Sequence, residues 1–164
     1  MQKTNRLALA VLALLGSTAA FAQSSVTLYG RVNTTVERQE VGNVKTTGLF
    51  DNNSRFGFKG TEDLGGGLKA GFQLESGFNS DTGASAATFF GRQSEVNLSG
   101  GFGAVRLGRF TAESYYATAD YVSMHNHDTG SSSDALYAGV MRDVNKIGYR
   151  TPTFGGLTID AAVS

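Results

Sequence analysis

Two groups of charged residues are the chain's best candidates for chemistry, and neither is a catalytic set. The bases Arg31, Arg55, Lys59, Arg106 and Arg150 fall on the polar parity of alternating segments. The acids Glu113, Asp120, Asp128 and Asp134 fall together in one polar stretch. Bases facing acids across a narrow aqueous gap with low-dielectric walls set up a transverse field that orders water and sorts hydrated ions. The plainer reading of any one of these arginines is a salt bridge that holds a wall or a loop. For any one of the acids it is a solvated loop tip. Both readings stay open at this stage.

Other motif-like stretches carry less. Gly65-Gly66-Gly67-Leu68-Lys69-Ala70 matches G-x-G-x-x-[GA], but a dinucleotide fingerprint must follow a strand and open a helix. Here the glycines form a turn into an alternating segment. His125 and His127 beside Asp128 could suggest a metal site, yet the chain has two His and no third ligand at a defined spacing. They read as solvated loop histidines. Asn33-Thr34-Thr35 is a glycosylation sequon on paper, inside a strand-like run. No Ser-His-Asp set has nucleophile-elbow context, so neither a cofactor nor an enzymatic activity is expected.

The elements that must position the charges alternate with a period of two. In 25–37 one parity is Val26, Leu28, Gly30, Val32, Thr34, Val36 and the other Thr27, Tyr29, Arg31, Asn33, Thr35, Glu37. That is a strand with one apolar and one polar face, longer than the 5–6 residues or so usual in soluble sandwiches. The pattern returns at 54–62, 68–75, 93–99, 104–109, 146–151 and 157–163, which predicts seven strands. Gly-rich turns join the second to the third, the fourth to the fifth and the sixth to the seventh. Longer polar segments, 38–53, 76–91 and 110–145, fill the other gaps. Short turns at one rim and long loops at the other are the plan of an outer-membrane β-barrel.

The N-terminus fits that plan. Lys3 and Arg6 precede an apolar run over 7–16, and Ala20-Phe21-Ala22 is a small-x-small cleavage site. This is the order of a secretory signal peptide, so residues 1–22 are expected to be removed after export. Losing Lys3 and Arg6 turns 14 bases against 14 acids into 12 against 14, a balance of −2. Such a balance gives no field for nucleic acid. With no Cys, a disulfide scaffold and a thiolate metal site are excluded.

Four stretches, SSVTLYGRV (24–32), SRFGFKGTEDLGGGLKAGFQLE (54–75), GRQSEVNLSGGFGAVRLGRF (91–110) and KIGYRTPTFGGL (146–157), resemble the general porins of Gram-negative outer membranes, in particular the β-proteobacterial, neisserial type. The resemblance implies an all-β fold, a transmembrane antiparallel β-barrel of 16 strands of which this chain holds about the first seven. It also implies a water-filled passive channel for small hydrophilic solutes and ions, and a homotrimer in outer-membrane lipid. The third external loop, 110–145, is then folded inward to narrow the pore, with its acids facing the basic wall. Asn33 stands where the family often has Asp, and Glu95 where an aromatic is common. Each bears on lumen charge rather than on fold. Seven strands and an end inside an alternating run at Val163-Ser164 predict an incomplete barrel: the first two-fifths or so of a porin, which does not close a pore alone.

Three other classes compete. A small eight-stranded barrel serving as anchor or adhesin needs one more strand and a terminal aromatic. A barrel enzyme needs a catalytic constellation in its loops. A secreted soluble β protein needs a core that the charged parity leaves no room for. Conductance separates pore from anchor, and detergent-free solubility separates both from the soluble protein.

Overall fold

In the computed structural model the described residues are 25–118 and 141–164; positions 1–24 and 119–140 lie outside them, and with them the signal peptide expected at 1–22. Among the described residues there are nine strands: β1 (Ser25–Arg31), β2 (Thr34–Val41), β3 (Val44–Asp51), β4 (Arg55–Gly65), β5 (Leu68–Gly77), β6 (Gln93–Gly100), β7 (Gly103–Thr111), β8 (Arg142–Arg150) and β9 (Asp160–Val163). A five-residue helix, α1 (Glu113–Ala117), follows β7. Seven strands form one antiparallel meander in the order β1-β4-β5-β6-β7-β8-β9, with β1 and β9 at its edges, and β2 and β3 form a separate hairpin. The sheet is thus an open part of a barrel, with the seven strands expected. No helix among the described residues is long and apolar enough to cross a membrane.

Register carries the two faces across the whole sheet. Val26, Gly60, Phe72, Val96, Leu107, Ile147 and Val163 are successive partners from β1 to β9 and form one outward row. Thr27, Lys59, Gln73, Glu95, Gly108 and Lys146 form the inward row beside it. The outward row is bare: Val26 is 66% exposed and Ile147 53%. Among the described residues the buried apolar side chains are Phe110 and Ala112, whereas Ser54, Ser76, Glu95, Thr111 and Lys146 are buried polar ones. That inverts a soluble fold, in which the apolar face seeks the interior, and suits strands whose outer solvent is hydrocarbon.

The rims differ as the loop lengths predict. Asp63 Oδ1 accepts the Gly65 N–H at 2.8 Å, and Gly65, Gly66 and Gly67 follow with φ of 86°, 60° and 82°. Three successive left-handed residues are accessible to Gly at little cost, and they reverse β4 into β5. At the opposite rim Phe56 meets Phe58, Phe78 and Phe89 with ring centroids 6.3–6.4 Å apart, and Phe89 meets Phe90 at 4.5 Å. These rings pack into one aromatic cluster at the long-loop rim. At the short-turn rim Tyr149 donates to the Phe102 carbonyl at 2.5 Å.

Several boundaries differ from expectation. The alternation over 25–37 is two strands, because the chain leaves the sheet at Val32 and Asn33. There Asn33 N–H donates to Ser54 Oγ at 2.9 Å and its side-chain amide to the Asn52 carbonyl at 3.2 Å. The segment 38–53, expected as loop, is mostly hairpin: β2 pairs with β3 from Thr34↔Asp51 to Val41↔Val44. Gly42 at φ 61° opens its two-residue turn, as hairpin turns favour. Phe110 and Thr111 extend β7, and 142–145 extend β8, so the third loop is shorter than 110–145. A register shift between Gly108 and Phe110 permits this, with Asn145 at φ 54° in the left-handed region that Asn tolerates. β9 begins at Asp160 rather than 157, because Phe154 and Leu157 bridge each other around Gly155-Gly156.

The hairpin is tied to the second loop through one carboxylate. Asp51 Oδ1 accepts the Ser80 N–H at 3.1 Å and the Ser80 hydroxyl at 2.9 Å, and the Ser54 N–H lies 3.3 Å from both Asp51 oxygens. Partial burial pushes the Asp51 carboxyl up, but the hydrogen bonds from Ser54 and Ser80 outweigh it and hold the group below its ordinary value of 3.8. A depressed carboxyl contributes stability above its unfolded value and loses it as pH falls through the folded one. The loop-proximal hairpin should therefore resist protease at neutral pH and lose that resistance below about pH 4. Asp51→Asn should be protease-sensitive throughout; equal resistance in the variant would show that the carboxylate does not tie the loops.

Inside the sheet, the hydroxyl end of Tyr29 lies over Gly57. A Cβ at Gly57 would sit 2.6 Å from Tyr29 Cζ and 2.6 Å from the Leu74 carbonyl oxygen. The backbone contact cannot be relieved by rotating a side chain, so Gly57→Val should destabilise the sheet by about 1–3 kcal/mol. It should be read as a lower midpoint of heat-induced mobility shift in the full-length protein. An unchanged midpoint would mean that β4 and β5 separate at no cost.

Candidate functional site

The inward face carries two charge networks of different sign balance. The first surrounds a cavity of about 120 Å³ lined by Arg31, Asn53, Arg55, Arg92, Tyr115, Met141 and Arg142. Arg31 ends β1 and Arg55 begins β4, and the two are register partners. Like charges directly opposite repel. One acceptor gathers both: the Asn53 carbonyl takes Arg31 Nε at 3.3 Å and Arg55 Nη1 at 3.2 Å. Asn53 aims that carbonyl from a left-handed backbone, φ 59°. Arg142 donates from Nε to the Arg92 carbonyl at 2.8 Å, which brings the start of β8 to the start of β6.

The carboxylate of Glu75 adjoins these guanidiniums. Glu75 Oε1 lies 2.6 Å from Arg92 Nε and 3.9 Å from Arg55 Nε. Its Oε2 accepts the Tyr29 hydroxyl at 3.0 Å, and Tyr29 in turn accepts from Gln73 Nε2 at 2.7 Å. Among the described residues, the four Arg of the lining set against Glu75 leave a local balance of +3.

The second network is neutral. Arg106 donates from Nε at 3.0 Å and Nη2 at 2.6 Å to Glu95 Oε2, and its Nη1 lies 3.8 Å from Glu113 Oε1. Lys146 Nζ donates to Glu113 Oε2 at 2.6 Å and to the Thr111 carbonyl at 3.4 Å. Two acids and two bases cancel. Phe110, fully buried, lies between the cations, with Arg106 Cζ 4.1 Å and Lys146 Nζ 4.6 Å from its ring centroid. Gln93 and Asn97 add amide donors to Glu95 at 3.0 and 3.4 Å. Burying an ion pair is tolerable only with such additional partners.

The bases expected to line a pore divide accordingly. Arg31 and Arg55 meet at the cationic cavity. Arg106 is compensated by Glu95 and Glu113. Arg150 sits at the short-turn rim, 56% exposed, paired with Asp160 at 2.7 Å. Lys59 Nζ stands 5.4 Å from the Tyr29 ring centroid. Of the acids, Glu113 lies against the wall through Lys146 and Arg106; Asp120, Asp128 and Asp134 lie outside the described residues, as do His125 and His127. Among the described residues no group of three or more His, Cys, Asp or Glu could hold a metal.

Sequence reasoning missed Arg92, Arg142 and Glu75 as site residues. Glu75 could have been found on its polar parity. Arg142 occupies a stretch read as loop, where parity gives no signal, and Arg92 falls between the loop expected over 76–91 and the strand expected from 93.

The family model for Gram-negative porins matches residues 8–164. The chain is 41% identical to outer membrane porin protein 32 of Delftia acidovorans, over 94% of this chain and 47% of that protein. It is 36% identical to an outer membrane porin protein of Bordetella pertussis, over 84% of this chain and 42% of the relative. Major outer membrane protein P.IB of Neisseria meningitidis is 35% identical over 84% and 43% of the two chains. A solved structure, the anion-selective porin from Comamonas acidovorans, matches with a TM-score of 0.68 and 36% identity, over 85% of this chain and 46% of the other. The chain therefore spans just under half the length of these relatives. Its location is the outer membrane. The alternating strands, the outward apolar row and the matches over nearly the whole chain agree: this chain belongs to the Gram-negative porin family.

Proposed function

We propose that this chain contributes the first seven barrel strands of an outer-membrane diffusion channel that passes small hydrophilic solutes and ions with a preference for anions. The observation that carries the preference is the cavity where Arg31, Arg55, Arg92 and Arg142 converge beside Glu75. A cationic constriction between low-dielectric walls focuses field lines and raises the local concentration of counter-ions. Anions are drawn in still hydrated, and guanidinium N–H groups can replace part of their water. No bond is made or broken in this reading. The similarity to a structure named an anion-selective porin supports it.

In this reading the full-length protein is a homotrimer in outer-membrane lipid. Residues 1–22 are its cleaved signal, and the segment from 110 to 145 supplies the inward loop. Glu113, near the start of that segment, already lies against the wall through Lys146, which supports an inward course at its root. The acids Asp120, Asp128 and Asp134 are proposed to face the bases across the gap.

In a salt gradient across a planar bilayer, the full-length protein should give a reversal potential of anion-selective sign. Arg92→Gln with Arg142→Gln should move that potential several-fold toward non-selectivity while single-channel conductance persists. A clear cation preference in the wild-type channel would sink the proposal.

A further inference from the structure

We infer that Glu113 is a positioning residue for the anion route: it clamps α1 to the barrel wall and so keeps Tyr115 on the wall of the arginine cavity. The inference rests on the anion-channel reading above, but its evidence is separate. A helix of five residues cannot hold itself, since nucleation is unfavourable and short helices are marginal in water. α1 has no side-chain hydrogen bond at its N-cap, Ala112, and no buried residue. Backbone links attach it on one side, where the Ala112 N–H donates to the Met141 carbonyl at 2.8 Å. Glu113 adds a charged attachment to the wall: its Oε2 takes Lys146 Nζ at 2.6 Å and its Oε1 faces Arg106 at 3.8 Å.

The anchor at the wall end is rigid. The Lys146 side chain is 3% exposed and is fixed by the Thr111 carbonyl and the Phe110 ring as well as by Glu113. Phe110 in turn rests on Gly148, where a Cβ would come within 3.0 Å of Phe110 Cζ. From this fixed point α1 turns once. Tyr115 N–H bonds back to the Ala112 carbonyl at 3.1 Å, and Tyr115 arrives at the cavity shared by Arg31, Arg55, Arg92 and Arg142. An aromatic wall there displaces water from the guanidiniums and strengthens their field on a passing anion. Glu113 therefore acts on the cavity through Tyr115, from within a network that carries no net charge.

That neutrality makes the test clean. Glu113→Gln alone strands a buried lysine and risks misfolding. The paired variant Glu113→Gln with Lys146→Met removes one charge of each sign, so it releases the clamp at constant formal charge. In the full-length protein, with correct assembly checked by heat-modifiable mobility, the anion-to-cation permeability ratio from reversal potentials in a KCl gradient is the readout. Tyr115→Ala should lower that ratio about threefold. The paired variant should lower it by a similar factor, and the three substitutions together should lower it no further, since both act through one element. An unchanged ratio in the paired variant, or effects of the clamp and of Tyr115 that multiply, would overturn the positioning role while leaving the anion channel standing. A wild-type channel without anion preference would overturn the anion reading and this inference with it.

Discussion

Backbone pairing across the seven-stranded sheet is the constraint on which everything else hangs. In hydrocarbon an unpaired N–H or C=O costs several kcal/mol or so, and only helices and laterally paired strands avoid that cost. Here β4 and β5 run 11 and 10 residues and pair almost throughout, close to the 9–11 or so that cross a bilayer as tilted strands. Because the ladder satisfies the backbone sideways, side chains are released from that duty. One parity can be wholly apolar and bare toward lipid, and the other can be charged.

An inward charged face is stable only if its charges are organised. At the root of the third loop the chain solves this by cancellation: Glu95, Arg106, Glu113 and Lys146 form a closed set around Phe110. On the adjoining wall it does the opposite. Arg31, Arg55, Arg92 and Arg142 are brought to one place by carbonyl acceptors and the Glu75 carboxylate, so among the described residues bases outnumber acids there. Guanidinium suits this, because it stays charged and offers five donors that several carbonyls can share. In the proposed channel the two networks divide the labour of the inward face, one mechanical and one electrostatic. α1 joins them, with Glu113 in the first and Tyr115 in the second.

The long-loop rim has its own logic. The chain leaves the sheet at Val32 and Asn33 and builds a second hairpin beyond it. A two-stranded hairpin alone is marginal in water. Asp51, Ser54 and Ser80 supply the missing attachment, and Asn52 adds bonds to Thr35 and Glu37 at 2.6 and 3.0 Å. Glu37, held below the ordinary carboxylate value by donors on Gln39, Thr35 and Asn52, completes that polar knot.

The period-two alternation was enough to determine the strand class, the seven sheet strands, their two faces and the short turns, since each depends on residues within a few positions of one another. Leu68 to Glu75 reads as a strand because its neighbours alternate, whatever lies beside it. The hairpin after Val32 was also locally encoded, by Gly42-Asn43 between two alternating runs, but its break from β1 was hidden because alternation continues unbroken through Asn33. The composition of the site was decided only by the tertiary structure. Arg142 reaches the Arg92 carbonyl across 50 positions, and Lys146 reaches Glu113 across 33. Parity says that a base faces inward; it does not say which acid will meet it. That depends on register between strands distant in sequence and on where a loop returns to the wall, because Coulomb interaction falls with distance in space and is indifferent to distance along the chain.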